Sequence, residues 1–157
     1  MREFNFGDDL IDSRDINKKY EELVSEWEDL KDAVEAASAA AAVDEIEDDL
    51  ETEDKELNRC KWALEEFEGD YLDEINILKE VIEEGESISC DWHHGETLIH
   101  EDYFTEYTQN LAEDIGAISD TEKWPLNHID WEAAAEELMK DYSEIEIRGD
   151  FYYVRNG

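Results

Sequence analysis

The fold is decided by a stretch near the start of the chain, residues 16–41, which reads INKKYEELVSEWEDLKDAVEAASAAA. Its apolar side chains recur at steps of four and three residues: Ile16, Tyr20, Leu23, Trp27, Leu30, Val34, Ala37 and Ala41. Such steps place side chains on one face of an α-helix and define a heptad seam. Asp12 or Ser13 can cap the start of this helix. Alanine is the best helix former, so the alanine run at 36–42 is predicted to continue it.

A second apolar series of the same kind follows in the sequence: Leu57, Cys60, Leu64, Phe67, Tyr71, Ile75, Leu78 and Ile82. Gly85 is predicted to end this second helix, and residues 51–54 are predicted to separate it from the first. Two long seams around a short break predict an acidic, coiled-coil-like antiparallel helical hairpin over residues 1–85. The same seam could pack against a second copy of the chain, so a homodimer remains an alternative.

Residues 86–157 have shorter periodic segments, which predict a small α+β domain. The predicted elements are strands at 87–92 and 96–99, helices at 102–115 and 131–142, and a β-hairpin with strands at 143–148 and 151–155. Gly149-Asp150 is predicted to form the tight turn of that hairpin. The predicted fold class is therefore α+β, with a long N-terminal antiparallel helical hairpin followed by a small α+β domain that ends in a β-hairpin.

Charge excludes several classes of function. The 157 residues include 48 acidic and 13 basic side chains, for a formal net charge of −35. A protein that binds nucleic acid needs cations to neutralise phosphates, and anionic membrane surfaces would repel this chain as well. No apolar run is long enough to span a membrane, and the first residues lack the pattern of a secretory signal. We therefore expect a cytoplasmic protein whose partners are neither nucleic acids nor membranes.

Catalytic motifs are missing from the sequence. No P-loop, GxSxG or HExxH pattern occurs, so no catalytic residue is predicted and the protein is not expected to be an enzyme. His93, His94 and His100 lie near carboxylates, but their spacing matches no standard zinc pattern, and no calcium loop is present. No metal and no cofactor are predicted. Cys60 and Cys90 are expected to be reduced thiols. The tryptophans are expected in the core: Trp27, Trp62, Trp92, Trp124 and Trp131.

The density of negative charge suggests a function. Each helix of the predicted hairpin would be roughly 50 Å long at 1.5 Å per residue. Residues 1–85 carry 30 acidic and 9 basic side chains, which gives one net charge per about 2.4 Å, against roughly 1.7 Å in duplex DNA. Such self-repulsion destabilises a fold, and a protein that must enter a DNA-binding groove has a reason to tolerate it. A solvated acidic face, adaptation to high salt and a calcium-binding protein remain as alternatives.

Carboxylates on both predicted domains are the candidate target-binding groups, because a mimic distributes its charge. Those singled out are Glu21, Glu28, Asp32, Glu35, Asp48, Asp49, Glu65, Glu66, Asp73 and Glu80 on the hairpin, and Asp102, Glu106, Glu113 and Asp114 on the domain.

The last third of the chain carries a family resemblance. It contains DYFTEY at 102–107, LAEDIGAI at 111–118 and WPLNHIDWEAA at 124–134, followed by the predicted strand pair. This order is similar to the C-terminal domain of the ArdA antirestriction family, which phages, plasmids and conjugative elements encode. The positions that match the family motif are Gly116, Ala117, Ile129, Asp130 and Ala134 or Ala135, with Trp131 in place of an aromatic Tyr. The resemblance covers residues 100–155, and the first two domains of the family are not recognisable here.

The resemblance implies a target. ArdA proteins are elongated acidic mimics of DNA that inhibit type I restriction–modification enzymes. It implies that residues 86–157 form an ArdA-like domain and that the partner is a host DNA-binding defence protein in the cytoplasm of an infected or recipient bacterium. A CRISPR nuclease or another DNA-processing protein is the alternative target. A coiled-coil scaffold or assembly protein with a solvated acidic surface is the alternative from a different class.

Overall fold

A computed structural model describes residues 5–43, 50–119 and 123–157, and these residues form an α+β fold. The helices are α1 Ser13–Val43, α2 Leu50–Ile88, α3 Trp92–Gly95, α4 Phe104–Asp114 and α5 Trp131–Met139. The strands are β1 Leu10–Asp12, β2 Thr97–His100, β3 Tyr142–Ile147 and β4 Asp150–Arg155. Single 3₁₀ turns occur at Glu101–Tyr103 and Leu126–His128. The two long helices and the C-terminal strand pair predicted from the sequence are confirmed.

The ends of α2 differ from the prediction. The predicted break at 51–54 lies inside α2, which begins at Leu50. The helix also runs past Gly85 to Ile88, so the predicted helix end at Gly85 and the predicted strand at 87–92 are wrong. Gly85 is buried within the helix, and a Cβ atom there would lie 2.3 Å from the ring of Trp92. The glycine therefore permits a close approach of an aromatic ring and does not end the helix.

The chain divides into two compact units, which are described separately. One comprises Met1–Asn17 with Glu80–Gly157 and is called the sheet unit; the other, Lys18–Lys79, is called the helix unit. In the helix unit, Lys19 of α1 forms an ion pair with Glu74 of α2 at 2.7 Å. Trp27 Nε1 of α1 donates a hydrogen bond to Glu68 Oε1 of α2 at 2.9 Å. Residue numbers rise along α1 as they fall along α2, so the two helices run antiparallel in this unit.

The apolar seam lies between these two helices. Phe67, Ile75 and Leu78 of α2 are buried, and every seam residue of α1 within the helix unit is half-buried: Tyr20, Leu23, Trp27, Leu30, Val34, Ala37 and Ala41. Burial of these side chains is the main stabilising term available to so acidic a pair of helices.

The sheet unit contains a four-stranded antiparallel sheet in the order β1-β2-β4-β3. Strand β1 has three residues, too few for an alternating pattern, and was not predicted. In the β3–β4 hairpin the turn is Arg148-Gly149, closed by the pair Ile147 and Asp150, and not Gly149-Asp150 as predicted. Both turn residues have positive φ, 52° and 88°, as a type I′ turn requires.

Both faces of this sheet are covered. One face carries Ile11, Leu98, Ile145, Tyr152 and Val154, each no more than 2% exposed. On the opposite face Ile99 forms a buried cluster with Phe104 of α4 and Ala135 of α5. The Phe104 ring lies 5.3 Å from the ring of Tyr142 and 5.1 Å from that of Tyr153, both at steep edge-on angles. Helices α4 and α5 therefore pack on this second face.

Helix ends in the sheet unit follow local rules. Gly116 has a φ of +75° directly after α4, a conformation typical of a glycine that ends a helix. Asp130 caps α5 as predicted, because its Oδ1 accepts a hydrogen bond from the backbone N–H of Ala133 at 3.1 Å. Trp131 and Ile129 are half-buried.

Of the five tryptophans predicted in the core, only Trp92 is buried, and Trp27 and Trp131 are half-buried. Trp62 is 63% exposed and Trp124 is 78% exposed, so the prediction of core positions is wrong for both. Among the residues described, no helix combines the length and the apolar character that a membrane span requires.

Candidate functional site

In the helix unit, the position of a carboxylate relative to the apolar seam determines whether it is exposed to solvent. Most positions that face the partner helix are apolar, and most acidic residues between these positions are exposed. Among the residues of this unit whose side chains the structure describes, twelve carboxylates are exposed, and together they are called the acidic helix surface: Glu21, Glu22, Glu26, Glu28, Asp29, Asp32, Glu35, Glu56, Glu65, Glu66, Asp70 and Asp73. The surface is thus a direct consequence of the helical period acting on an acidic sequence.

In the described part of the helix unit, two carboxylates are half-buried, and both form contacts between the two helices. Glu68 accepts the indole hydrogen bond of Trp27. Glu74, whose side chain is only 15% exposed, pairs with Lys19. A carboxylate that is partly removed from solvent is stabilised by a hydrogen-bond donor or by a cation. These two acidic residues therefore have a structural role, which separates them from the twelve that face solvent.

The charge along α1 is close to that of one DNA strand. Residues 21–35 contain seven acidic side chains and one basic one, Lys31. The segment is about 21 Å long at 1.5 Å per residue, so one net charge falls in about every 3.5 Å. A single strand of duplex DNA carries one charge per roughly 3.4 Å. The exposed carboxylates of α2 between 65 and 73 are as dense, with four over about 12 Å.

The basic side chains of the helix unit neutralise only part of this negative charge. Lys31 Nζ lies over the ring of Trp27, 3.8 Å from its centroid. Lys18 pairs with Glu22 at 3.7 Å and Arg59 with Glu56 at 3.5 Å, both within one helix. Such exposed pairs contribute little free energy and bind their partners loosely. The acidic helix surface therefore presents a strongly negative potential to an approaching protein.

The predicted target-binding residues divide between the two units. Within the helix unit, Glu21, Glu28, Asp32, Glu35, Glu65, Glu66 and Asp73 are exposed and belong to the acidic helix surface. Asp48 and Asp49 lie outside the described residues. The others are exposed in the sheet unit: Glu80, Asp102, Glu106, Glu113 and Asp114.

The sequence reasoning missed five carboxylates of the same surface: Glu22, Glu26, Asp29, Glu56 and Asp70. Their signal was present in the heptad pattern, since each occupies a position between seam residues. Trp62 was also missed as a surface residue. It falls between the seam positions Cys60 and Leu64, and that spacing already favours an outward side chain.

The sheet unit has an acidic recess of its own. It is open to solvent and lined by Asp8, Asp9, Asp12 and Asp15, with Leu10 among the apolar walls. Arg14 forms a 2.6 Å ion pair with Asp12, and this hydrogen bond holds the pKa of the Asp12 carboxyl below its ordinary value. The pair neutralises one of the four charges and fixes the start of α1.

Two of the histidines, His93 and His100, have side-chain contacts that indicate a structural role. His93 Nε2 lies 2.6 Å from Glu86 Oε1. His100, which is 7% exposed, accepts a hydrogen bond at Nδ1 from the backbone N–H of Asp102. Within the described ranges, no three His, Cys, Asp or Glu side chains are grouped so that they could hold a metal ion.

Comparisons with known proteins returned no relative. No protein-family model, no curated protein and no solved structure matches the chain. The similarity of residues 100–155 to the ArdA family therefore stays a prediction. Two of its motif residues have local structural roles, Gly116 after α4 and Asp130 as the cap of α5.

Proposed function

We propose that this protein is an acidic mimic of duplex DNA that occupies the DNA-binding groove of a host defence enzyme. A type I restriction–modification enzyme is the first target to consider, and the effect is antirestriction. The observation that carries the proposal is the acidic helix surface, with twelve exposed carboxylates on two antiparallel helices. The mechanism is competitive occupation of a basic groove, without any chemical step.

Electrostatics explains how such a mimic would act. Lys and Arg side chains that line a DNA-binding groove create a positive potential, which steers a dense negative surface into the groove. Binding then releases the counterions of the groove in the same way as DNA binding does, so the complex weakens as salt rises. The affinity is spread over many carboxylates, and each contributes modestly.

The helix unit is the proposed platform for this charge. We take α1 and α2 as a coiled-coil-like hairpin whose buried Phe67, Ile75 and Leu78 keep the carboxylates in place. The sheet unit has exposed acidic residues of its own, Asp102 and Glu106 among them, which would add to the negative charge of the protein. The similarity of residues 100–155 to the ArdA family is the reason for naming type I enzymes before other targets.

Competition with DNA tests the proposal. A purified type I restriction enzyme is bound to labelled duplex DNA and titrated with the protein at two salt concentrations. We expect displacement at stoichiometric amounts, weaker at the higher salt. A variant with four reversed charges on α1, E21K/E28K/D32K/E35K, should abolish displacement, whereas each of the four single substitutions should have a small effect. Circular dichroism verifies that the variants stay helical, since Lys is a good helix former.

A matched variant separates position from net charge. Glu132, Glu136, Asp141 and Glu146 are exposed in the sheet unit and are not among the candidate residues. Reversal of these four to Lys changes the net charge equally and should preserve displacement. The proposal fails if one carboxylate-to-alanine change removes all activity, or if both quadruple variants behave alike. If wild-type protein displaces no DNA, a CRISPR nuclease and other DNA-processing proteins are tested next, and a salt-insensitive partner would favour the scaffold alternative.

A further inference from the structure

Trp62 is an exposed aromatic residue within the acidic helix surface. Its side chain is 63% exposed on α2, and it lies outside the seam, since Cys60 and Leu64 occupy the seam positions on either side. Residues three and four positions apart are neighbours on a helix, so Glu65 and Glu66, both exposed, lie beside the indole. The surface therefore offers an aromatic face and two carboxylates within one helical turn.

This combination fits a guanidinium group better than an ammonium group. The guanidinium of Arg is planar, stacks on aromatic rings and can form two parallel hydrogen bonds to one carboxylate. The ammonium of Lys is a compact, strongly hydrated charge without such a fork. An indole flanked by carboxylates consequently discriminates between the two cations, which a surface of carboxylates alone does only weakly.

The helix unit already contains one tryptophan, Trp27, that contacts both a cation and a carboxylate. Lys31 lies over the ring of Trp27, and the indole N–H of Trp27 bonds to Glu68. In that case the cation comes from the chain itself and the indole is half-buried. Among the residues described, no cation lies over the ring of Trp62. Lys61 is its neighbour in sequence, and Arg59, three residues before Trp62 on the same helix, pairs with Glu56. Trp62 is thus an aromatic ring with carboxylates beside it and an accessible face.

We propose that Trp62, with Glu65 and Glu66, receives an arginine side chain of the partner protein, so that the acidic helix surface prefers arginine-lined to lysine-lined grooves. This rests on the proposed function and adds a chemical preference to it. The negative charge of the carboxylates attracts any basic groove, and the indole of Trp62 favours a groove lined by arginine.

Two simple peptides test the preference. The full-length protein is titrated with deca-arginine and with deca-lysine at the same salt concentration, and the ratio of the two Kd values is measured. The W62A variant should reduce the preference for deca-arginine about two- to fivefold, the range of an exposed cation–π contact. Binding of deca-lysine should change little, because the carboxylates remain. The conservative W62F variant should keep part of the preference.

Trp124 provides the matched control. It is 78% exposed in the sheet unit, and the residues three and four positions later are Asn127 and His128, so no carboxylate flanks it in that way. W124A should leave the ratio of Kd values unchanged. The inference is overturned if W62A leaves the ratio unchanged, or if W124A reduces it as much. If neither peptide binds the wild-type protein, the proposed function fails too, whereas equal binding of both peptides overturns the arginine preference alone.

Discussion

The ring of Trp92 lies directly against Gly85. A Cβ atom at Gly85 would come within 2.3 Å of Cε3 and Cζ3 of Trp92, a residue with no exposed surface. The indole N–H of Trp92 donates a hydrogen bond to Asn17 Oδ1 at 2.9 Å, and its backbone carbonyl accepts one from Ser13 Oγ at 2.6 Å. A single buried tryptophan thus joins the start of α1 to the end of α2 within the sheet unit.

Substitution of Gly85 by alanine should destabilise the sheet unit. The buried ring of Trp92 cannot move away easily, so overpacking should lower the free energy of unfolding by about 1–3 kcal/mol. Urea unfolding followed by Trp fluorescence measures the change. Gly69 is the control, since it lies in the same helix and no atom lies within 4 Å of its added Cβ. Gly69→Ala should stabilise by about 0.5–1 kcal/mol through helix propensity. Equal effects of the two substitutions would contradict the close approach of Trp92.

Ser13 is expected to be a second sensitive position. Its buried hydroxyl donates to the carbonyl of Trp92 and accepts from the backbone N–H of Glu96 at 2.7 Å. Ser13→Ala leaves both backbone groups buried without this partner and should cost about 1–3 kcal/mol. Ser87 is a suitable comparison, because its hydroxyl bonds to the carbonyl of Glu84 at the surface. A cost for Ser87→Ala as large as that for Ser13→Ala in thermal unfolding would argue against the buried bond.

Substitutions of Asp130 distinguish a structural role of this residue from a role in target binding. Asp130→Ala should cost about 1 kcal/mol of stability, because the cap of α5 is lost. Asp130→Asn retains a capping side chain while it removes the charge, so stability should be close to that of the wild type. Both variants should displace DNA from the target enzyme as the wild type does. Loss of displacement with Asp130→Asn at unchanged stability would instead assign this residue to the target-binding surface.

Three tyrosines should make the sheet unit sensitive to alkaline pH. Burial raises the pKa of Tyr142 above its ordinary value of 10.0, and a hydrogen bond with Tyr107 raises it further. Burial also raises the pKa of Tyr152 and of Tyr153. The unfolded chain therefore loses these protons at a lower pH than the folded chain, so the contribution of the three tyrosines to the free energy of unfolding should be constant below about pH 10 and fall above it. Urea titrations across this range measure the slope.

Tyr142→Phe is the variant for that experiment. It keeps the aromatic ring against Phe104 and removes the ionisable hydroxyl, so the slope above pH 10 should become shallower. The same slope in the variant and in the wild type would show that Tyr142 does not contribute to the pH dependence.

Long periodic segments were predictable from the sequence, and short or contact-dependent features were not. The steps of three and four residues from Ile16 to Ala41 predicted one apolar helical face, and in α1 Ile16 is buried and the later residues of this face are half-buried. The C-terminal hairpin was predicted from its alternation, but its turn is displaced by one residue to Arg148-Gly149. The positive φ at Arg148 is imposed by the strand register that buries Ile145 and Ile147, and no local pattern revealed it.

The sequence predicted that the candidate site consists of exposed carboxylates, but it did not predict which carboxylates contact the neighbouring helix. Every predicted carboxylate among the described residues is exposed, because an acidic side chain without a partner inside the protein is most stable in water. The half-buried roles of Glu68 and Glu74 depend on which residues of α1 lie opposite them. Adjacent seam residues do not encode that pairing, since it depends on the register between two helices far apart in sequence.

The sequence by itself determined the excess of negative charge, the two long amphipathic helices and the side of each helix that faces solvent, since these follow from composition and a local period of 3.6 residues. Tertiary structure alone decided the three-residue strand β1, the passage of α2 through Gly85 and the contacts of Glu68 and Glu74 with residues of α1. In each case the physical reason is the same: the free energy depends on a neighbour that is distant in the chain, or on burial that only the assembled helices and sheet create.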